Sequence, residues 1–125
     1  IRIAGPDEAT KQKISGTLHF MKENAPSFFN SIVKHAGVIE VVKLNGAGGE
    51  AHGNWNPPTI LIDNKMTLYS EETIGGLLAH ENCHLERWDL KIYGPVEESA
   101  CEYKRADYFE AVGNPYYAQE IRNTL

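Results

Sequence analysis

The spacing of apolar positions changes several times along the chain, and each change marks an element. Ile1-Arg2-Ile3-Ala4 alternates apolar and polar and predicts a short opening strand, stopped by Gly5-Pro6. Behind Asp7, an N-cap residue type, Ile14, Leu18 and Met21 recur at helical spacing and predict a helix from Glu8 to about Lys22. Ala25-Pro26-Ser27 opens a second helix with Phe28, Phe29, Ile32 and Val33 as its apolar face, and Gly37 closes it. Residues 38–44 are rich in β-branched side chains and read as a strand. The glycine-rich turn at 45–49 follows. Residues 51–56 read as an edge segment, 59–63 as a strand and 66–69 as a shorter one. Three helices then close the chain, from Ser70 to about Ile92, from Val96 to about Val112, and from Pro115 to near Asn123, with Gly94-Pro95 between the first two. No repeat or linker interrupts this order, so residues 1–125 form one α+β domain, a small sheet packed on helices.

The first of those three helices carries the chemistry. Its stretch Ile74-Gly75-Gly76-Leu77-Leu78-Ala79-His80-Glu81-Asn82-Cys83-His84-Leu85-Glu86-Arg87-Trp88 contains H-E-x-x-H. Residues i and i+4 share a helix face, so His80 and His84 can hold one metal ion between them. Glu81 starts beside the first ligand and can accept a proton from a metal-bound water. Two histidines at this spacing can also be ordinary local hydrogen-bonding groups, so a third ligand decides the matter.

A catalytic zinc held by two histidines takes a third protein ligand and leaves a position for water. Glu97 and Glu98 open the following helix, which the short connection makes an antiparallel neighbour. At about 100° per residue, Val96, Ala100, Cys101, Tyr108, Ala111 and Val112 spread over one side. Glu97 falls inside that arc and is the favoured ligand. Glu98 falls outside it, and remains the alternative because Glu102 lies one turn on as a possible outer partner. Both carboxylates would also suit a helix N-terminus with no metal at all.

His80-Glu81-x-x-His84 followed by Glu97-x-x-Ala100 resembles the gluzincin branch of zinc metallopeptidases, particularly its smallest members. The element order is similar to that of the metallopeptidase domains of bacterial polymorphic toxins and secreted effectors. Ile1-Arg2-Ile3-Ala4-Gly5 and Asn54-Trp55-x-x-Pro58-Thr59-x-x-x-Ile62-Asp63 add weakly to the likeness, whose specific part covers residues 74–104. No H-x-x-G-x-x-H follows, which argues against the metzincin branch. The resemblance implies a zincin-like fold, zinc on His80, His84 and Glu97, and Glu81 as catalytic base. It also implies a protein or peptide substrate, an inhibitor or immunity protein as a possible partner, and a secreted or delivered setting. Two other readings are a zincin-like domain that binds metal or a partner without turnover, and a zinc amidase acting on cell wall.

Peptide hydrolysis also needs a group that stabilises the developing oxyanion. Tyr103 is the first choice, with Tyr116, Tyr117 and His52 behind it; each also has an ordinary structural reading. An extended substrate would add to an edge strand, either Thr59–Asp63 or the segment around His52–Trp55. Trp55 and Trp88 read as packing residues, and His19 and His35 as solvated or locally satisfied.

Composition adds mainly exclusions. A net charge of -5 with no basic run argues against a nucleic-acid partner, and no apolar stretch is long enough to span a bilayer. Starting at Ile1 without methionine or a visible signal peptide, the sequence is compatible with a fragment or mature domain. Two cysteines, Cys83 and Cys101, do not make a disulfide framework and are expected to be buried free thiols.

Overall fold

The computed structural model describes residues 1–92, 94 and 96–125. The elements are β1 (Arg2–Ala4), α1 (Glu8–Asn24), α2 (Pro26–His35), β2 (Val38–Val42), β3 (Gly49–His52) and β4 (Thr59–Asp63), followed by α3 (Glu71–Asp89), α4 (Glu97–Ala111) and α5 (Pro115–Asn123). The class is α+β, with a four-stranded mixed sheet in the order β1-β2-β4-β3. β1, β2 and β4 run parallel, and β3 is antiparallel to β4 at the edge. All five residues of β4 are buried, as expected of an inner strand covered on both faces.

That order corrects one expectation. Thr59–Asp63 lies between two neighbours and has no free edge; the edge strands are β1 and β3, and β3 overlaps the expected edge segment 51–56, starting two residues earlier and ending at His52. A second correction concerns residues 66–69, expected as a strand. Asn64–Leu68 forms a 3-10 turn instead. The Asp63 carboxylate accepts hydrogen bonds from Leu44 N (2.8 Å) and Lys65 N (3.0 Å), capping the turn before any strand can start, and Leu68 is left exposed.

The core lies where the helices meet the sheet. Ile39, Ile60 and Ile62 face Ile14 and Met21 of α1, Ile32 of α2 and Ile74, Leu78 and Leu85 of α3. Tyr108 and Phe109 of α4 close the other end. α3 is the most enclosed helix. Ser70 caps its start by accepting from Thr73 N at 3.2 Å, and Glu71 and Glu72 complement the dipole of its first turn. Its Asn82 donates to Ser31 Oγ (2.9 Å) and Glu86 Oε1 (3.2 Å), fastening the helix to α2. At its C-terminal end, His35 Nδ1 lies 2.6 Å from Asp89 Oδ2. The helix stops at Asp89, three residues short of the expected Ile92. Gly94 has φ +139°, and Pro95, the other half of the expected stop-and-start pair, lies outside the described residues.

α4 packs against α3 unusually closely. A Cβ on Gly76 would stand 2.6 Å from the Phe109 ring, and one on Gly75 would run into the Tyr108 hydroxyl. This approach overturns the expectation of free thiols. Cys83 and Cys101 are joined in a disulfide, their Cα atoms 5.4 Å apart, well inside bonding range. A count of two cysteines says nothing about two helices brought together by glycines. Among the described residues, no helix is long and apolar enough to cross a membrane.

Candidate metal centre

His80 and His84 lie one turn apart on α3, with His80 almost fully buried and His84 partly so. Their rings meet edge to face, with centroids 5.0 Å apart, and the two Nε2 atoms are separated by 3.2 Å. Two nitrogen ligands on a tetrahedral zinc, each at about 2.0–2.1 Å, would be about 3.3 Å apart. A proton can serve one close nitrogen–nitrogen contact. A shared cation serves both rings at once.

α4 supplies three carboxylates to the same face. Glu98 spans the pair, with Oε1 2.6 Å from His80 Nε2 and Oε2 3.0 Å from His84 Nε2. Glu97 sits elsewhere, its Oε1 3.0 Å from the opposite nitrogen of His84, Nδ1. Glu102 Oε1 approaches His80 Nδ1 to 2.8 Å, close enough to pair with it but not aligned as a hydrogen bond, so that buried nitrogen has no directed partner. Arg105 holds Glu102 from behind, Nε and Nη2 reaching it at 3.1 and 3.0 Å. Each imidazole therefore presents Nε2 to the shared carboxylate and turns Nδ1 to its own outer carboxylate. Outer partners of this kind orient histidine ligands and fix their tautomer.

Both glutamates named from the sequence are brought to the histidines, in different roles. Glu98 is at the nitrogens that converge, and Glu97 is behind one ring. The outer pair Glu102–Arg105 extends the same strip of α4. Its signal was present in the i, i+4, i+7 spacing of Glu98, Glu102 and Arg105.

Glu81 lies beneath the crossing of β3, its carboxylate within reach of the two histidines. A Cβ on Gly49 would come within 3.1 Å of its Cγ, so the glycine lets the edge strand pass directly over the acid. Burial pushes the Glu81 carboxyl up to about 7; nearby Glu98, Glu50 and Glu102 push the same way, against the attraction of His84. Glu81 lines two cavities, one on each side of the histidines. The cavity of 350 Å³ includes Glu50, His52 and Trp88, and that of 360 Å³ includes Met66, Leu77 and Arg105. Together they form a cleft along the β3 edge.

Tyr103, the first choice for an oxyanion helper, is 47% exposed and lines neither cavity. Tyr116 is more exposed still, and Tyr117 takes a long 3.4 Å contact from Arg105. His52 is the candidate that the fold does bring to the cleft. Its Nε2 lies 3.0 Å from Glu50 Oε2, and its ring stacks on Trp55 at 4.0 Å. His19 pairs with Glu23 at 2.9 Å, away from the cleft. No family model, curated protein or solved structure matches this chain.

Proposed function

We propose that this domain is a zinc-dependent peptidase of the gluzincin type, built on a zincin-like arrangement of edge strand, H-E-x-x-H helix and glutamate helix. The observation that carries the reading is the Glu98 carboxylate spanning both imidazole Nε2 atoms. His80, His84 and Glu98 would hold the ion, with Glu97 and Glu102 orienting the imidazoles from outside. Glu98 replaces Glu97 as the favoured third ligand because Nε2, not Nδ1, is where the two rings converge. Two neutral nitrogens and one carboxylate are a donor set that suits zinc.

Bound there, a divalent zinc would acidify a water molecule and polarise the scissile carbonyl. Glu81, within reach of both histidines, would accept the proton from that water and return it to the leaving amine. β3 offers unpaired backbone groups on its outer side, and an extended peptide can pair with them. Side chains flanking the scissile bond then enter the two cavities. His52, on the wall of one cavity, is better placed than Tyr103 to donate to the developing oxyanion.

Glu81→Gln separates binding from chemistry. The variant should keep one zinc per chain while losing about 10²–10⁴-fold in peptide hydrolysis, the range for a general base. Undiminished cleavage by that variant would rule out the mechanism. Stoichiometric zinc with no cleavage of any peptide or peptidoglycan by the wild type would instead leave a non-catalytic metal-binding domain.

A further inference from the structure

The Cys83–Cys101 disulfide sits inside the metal centre's frame. Cys83 directly precedes His84 on α3, and Cys101 follows Glu98 by three residues on α4. Among the described residues, the start of α4 is otherwise held through its glutamates, Glu97 at 3.0 Å from His84 Nδ1 and Glu98 on the two Nε2 atoms. Val96 at the N-cap makes no side-chain capping bond, and the helix buries nothing before Cys101, its first buried residue. The chain leading in is also exposed at Leu90, Ile92 and Val96. The Glu98 side chain is itself 70% exposed and, among the described residues, pairs with the two histidines.

We propose that the Cys83–Cys101 disulfide is the positioning element that holds the third carboxylate on the histidine pair, so that zinc affinity depends on the oxidation state of these two cysteines. This rests on the zinc site proposed above. With the bond closed, the first turn of α4 is fixed to α3 one residue from a ligand, and Glu98 meets the ion without first being ordered. Reduction adds two electrons and two protons, breaks the S–S bond and leaves two thiols; a thiol or phosphine reductant supplies the electrons. The deeper part of α4 stays packed through Ala106, Tyr108 and Phe109, so the release is confined to the turn that carries the glutamates. An ion left with two imidazoles and water is held more weakly.

The test is a double-mutant cycle on zinc affinity, read by competition with a chromogenic chelator. Oxidised wild type, Cys83→Ala/Cys101→Ala, Glu98→Ala and the triple variant are compared, with circular dichroism as a check on folding. Removing the disulfide should weaken zinc binding at least tenfold in the wild type and less than twofold in the Glu98→Ala background. A general loss of stability would not produce that non-additivity. Equal losses in both backgrounds, or affinity within twofold of wild type after disulfide removal, would overturn the proposal. If the double variant does not fold, a phosphine reductant applied to the folded wild type and to Glu98→Ala gives the same comparison. The phosphine takes the oxygen of one water, becoming its oxide as the two thiols form. Absence of zinc from the oxidised wild type would overturn the proposed function and this inference with it.

Discussion

The two halves of the candidate metal centre are built differently. The histidine half lies on α3, which is capped by Ser70, fastened to α2 through Asn82 and enclosed by α1, α4 and the sheet. The glutamate half lies on the first turn of α4, which has no side-chain cap and faces solvent. Side-chain exposure is 7% for His80 and 70% for Glu98. One half is thus preorganised by burial, whereas the other depends on a covalent tie and on its contacts with the first half. Preorganised donors bind an ion without an ordering cost, so the weak point of the centre is α4.

Separating the helices should break this contrast most strongly. Gly76→Val drives a branched side chain into the Phe109 ring and pushes α4 away from α3. We expect a loss of about 1–3 kcal/mol of stability in denaturant unfolding, together with weakened zinc binding because the glutamates move with their helix. Unchanged unfolding would mean that the close approach of the two helices does not matter.

Glu102→Ala acts on the support of one imidazole and leaves the ligands themselves in place. It removes the carboxylate beside His80 Nδ1 and leaves Arg105 without its main partner. Zinc affinity should fall about 10–100-fold, the usual range for an outer partner of a metal-bound histidine. Thermal unfolding of the metal-free protein should move much less, because the pair is partly exposed. A large thermal shift with unaltered zinc affinity would make Glu102 a structural residue.

The same contrast explains what could be read from the sequence. α3 was legible because its evidence is local: a serine cap, the His80–His84 spacing and flanking leucines all fall within one helix. The choice between Glu97 and Glu98 depends on the rotation of α4 about its axis, a tertiary quantity. Val96 counted as inward-facing in the helical pattern, yet it is among the more exposed residues of the chain. The rotation is set instead by Tyr108 and Phe109 packing against the glycines of α3 and by Cys101 bonded to Cys83. That rotation turns Glu98 and Glu102 toward the histidines and leaves Tyr103 off that face.

The sheet divides along the same line. β2 and β4 announce themselves by β-branched and aliphatic runs; β4 appears where expected, and β2 ends at Val42, two residues short. β3 reads Gly-Glu-Ala-His and has almost no intrinsic strand character. Its pairing with β4 makes it a strand and places its start at Gly49, two residues before the edge segment expected at 51–56. His52 reaches the cleft by the same route, at the end of a strand with little local signature.

X-ray absorption at the zinc edge, on the zinc-loaded protein and on Glu97→Ala and Glu98→Ala, separates the two glutamates as ligands of the histidine-bound ion. Two imidazole nitrogens and a protein carboxylate are expected on zinc in the wild type and in Glu97→Ala, with that carboxylate lost in Glu98→Ala. Loss of the carboxylate in Glu97→Ala, with an unaltered spectrum for Glu98→Ala, would contradict that assignment.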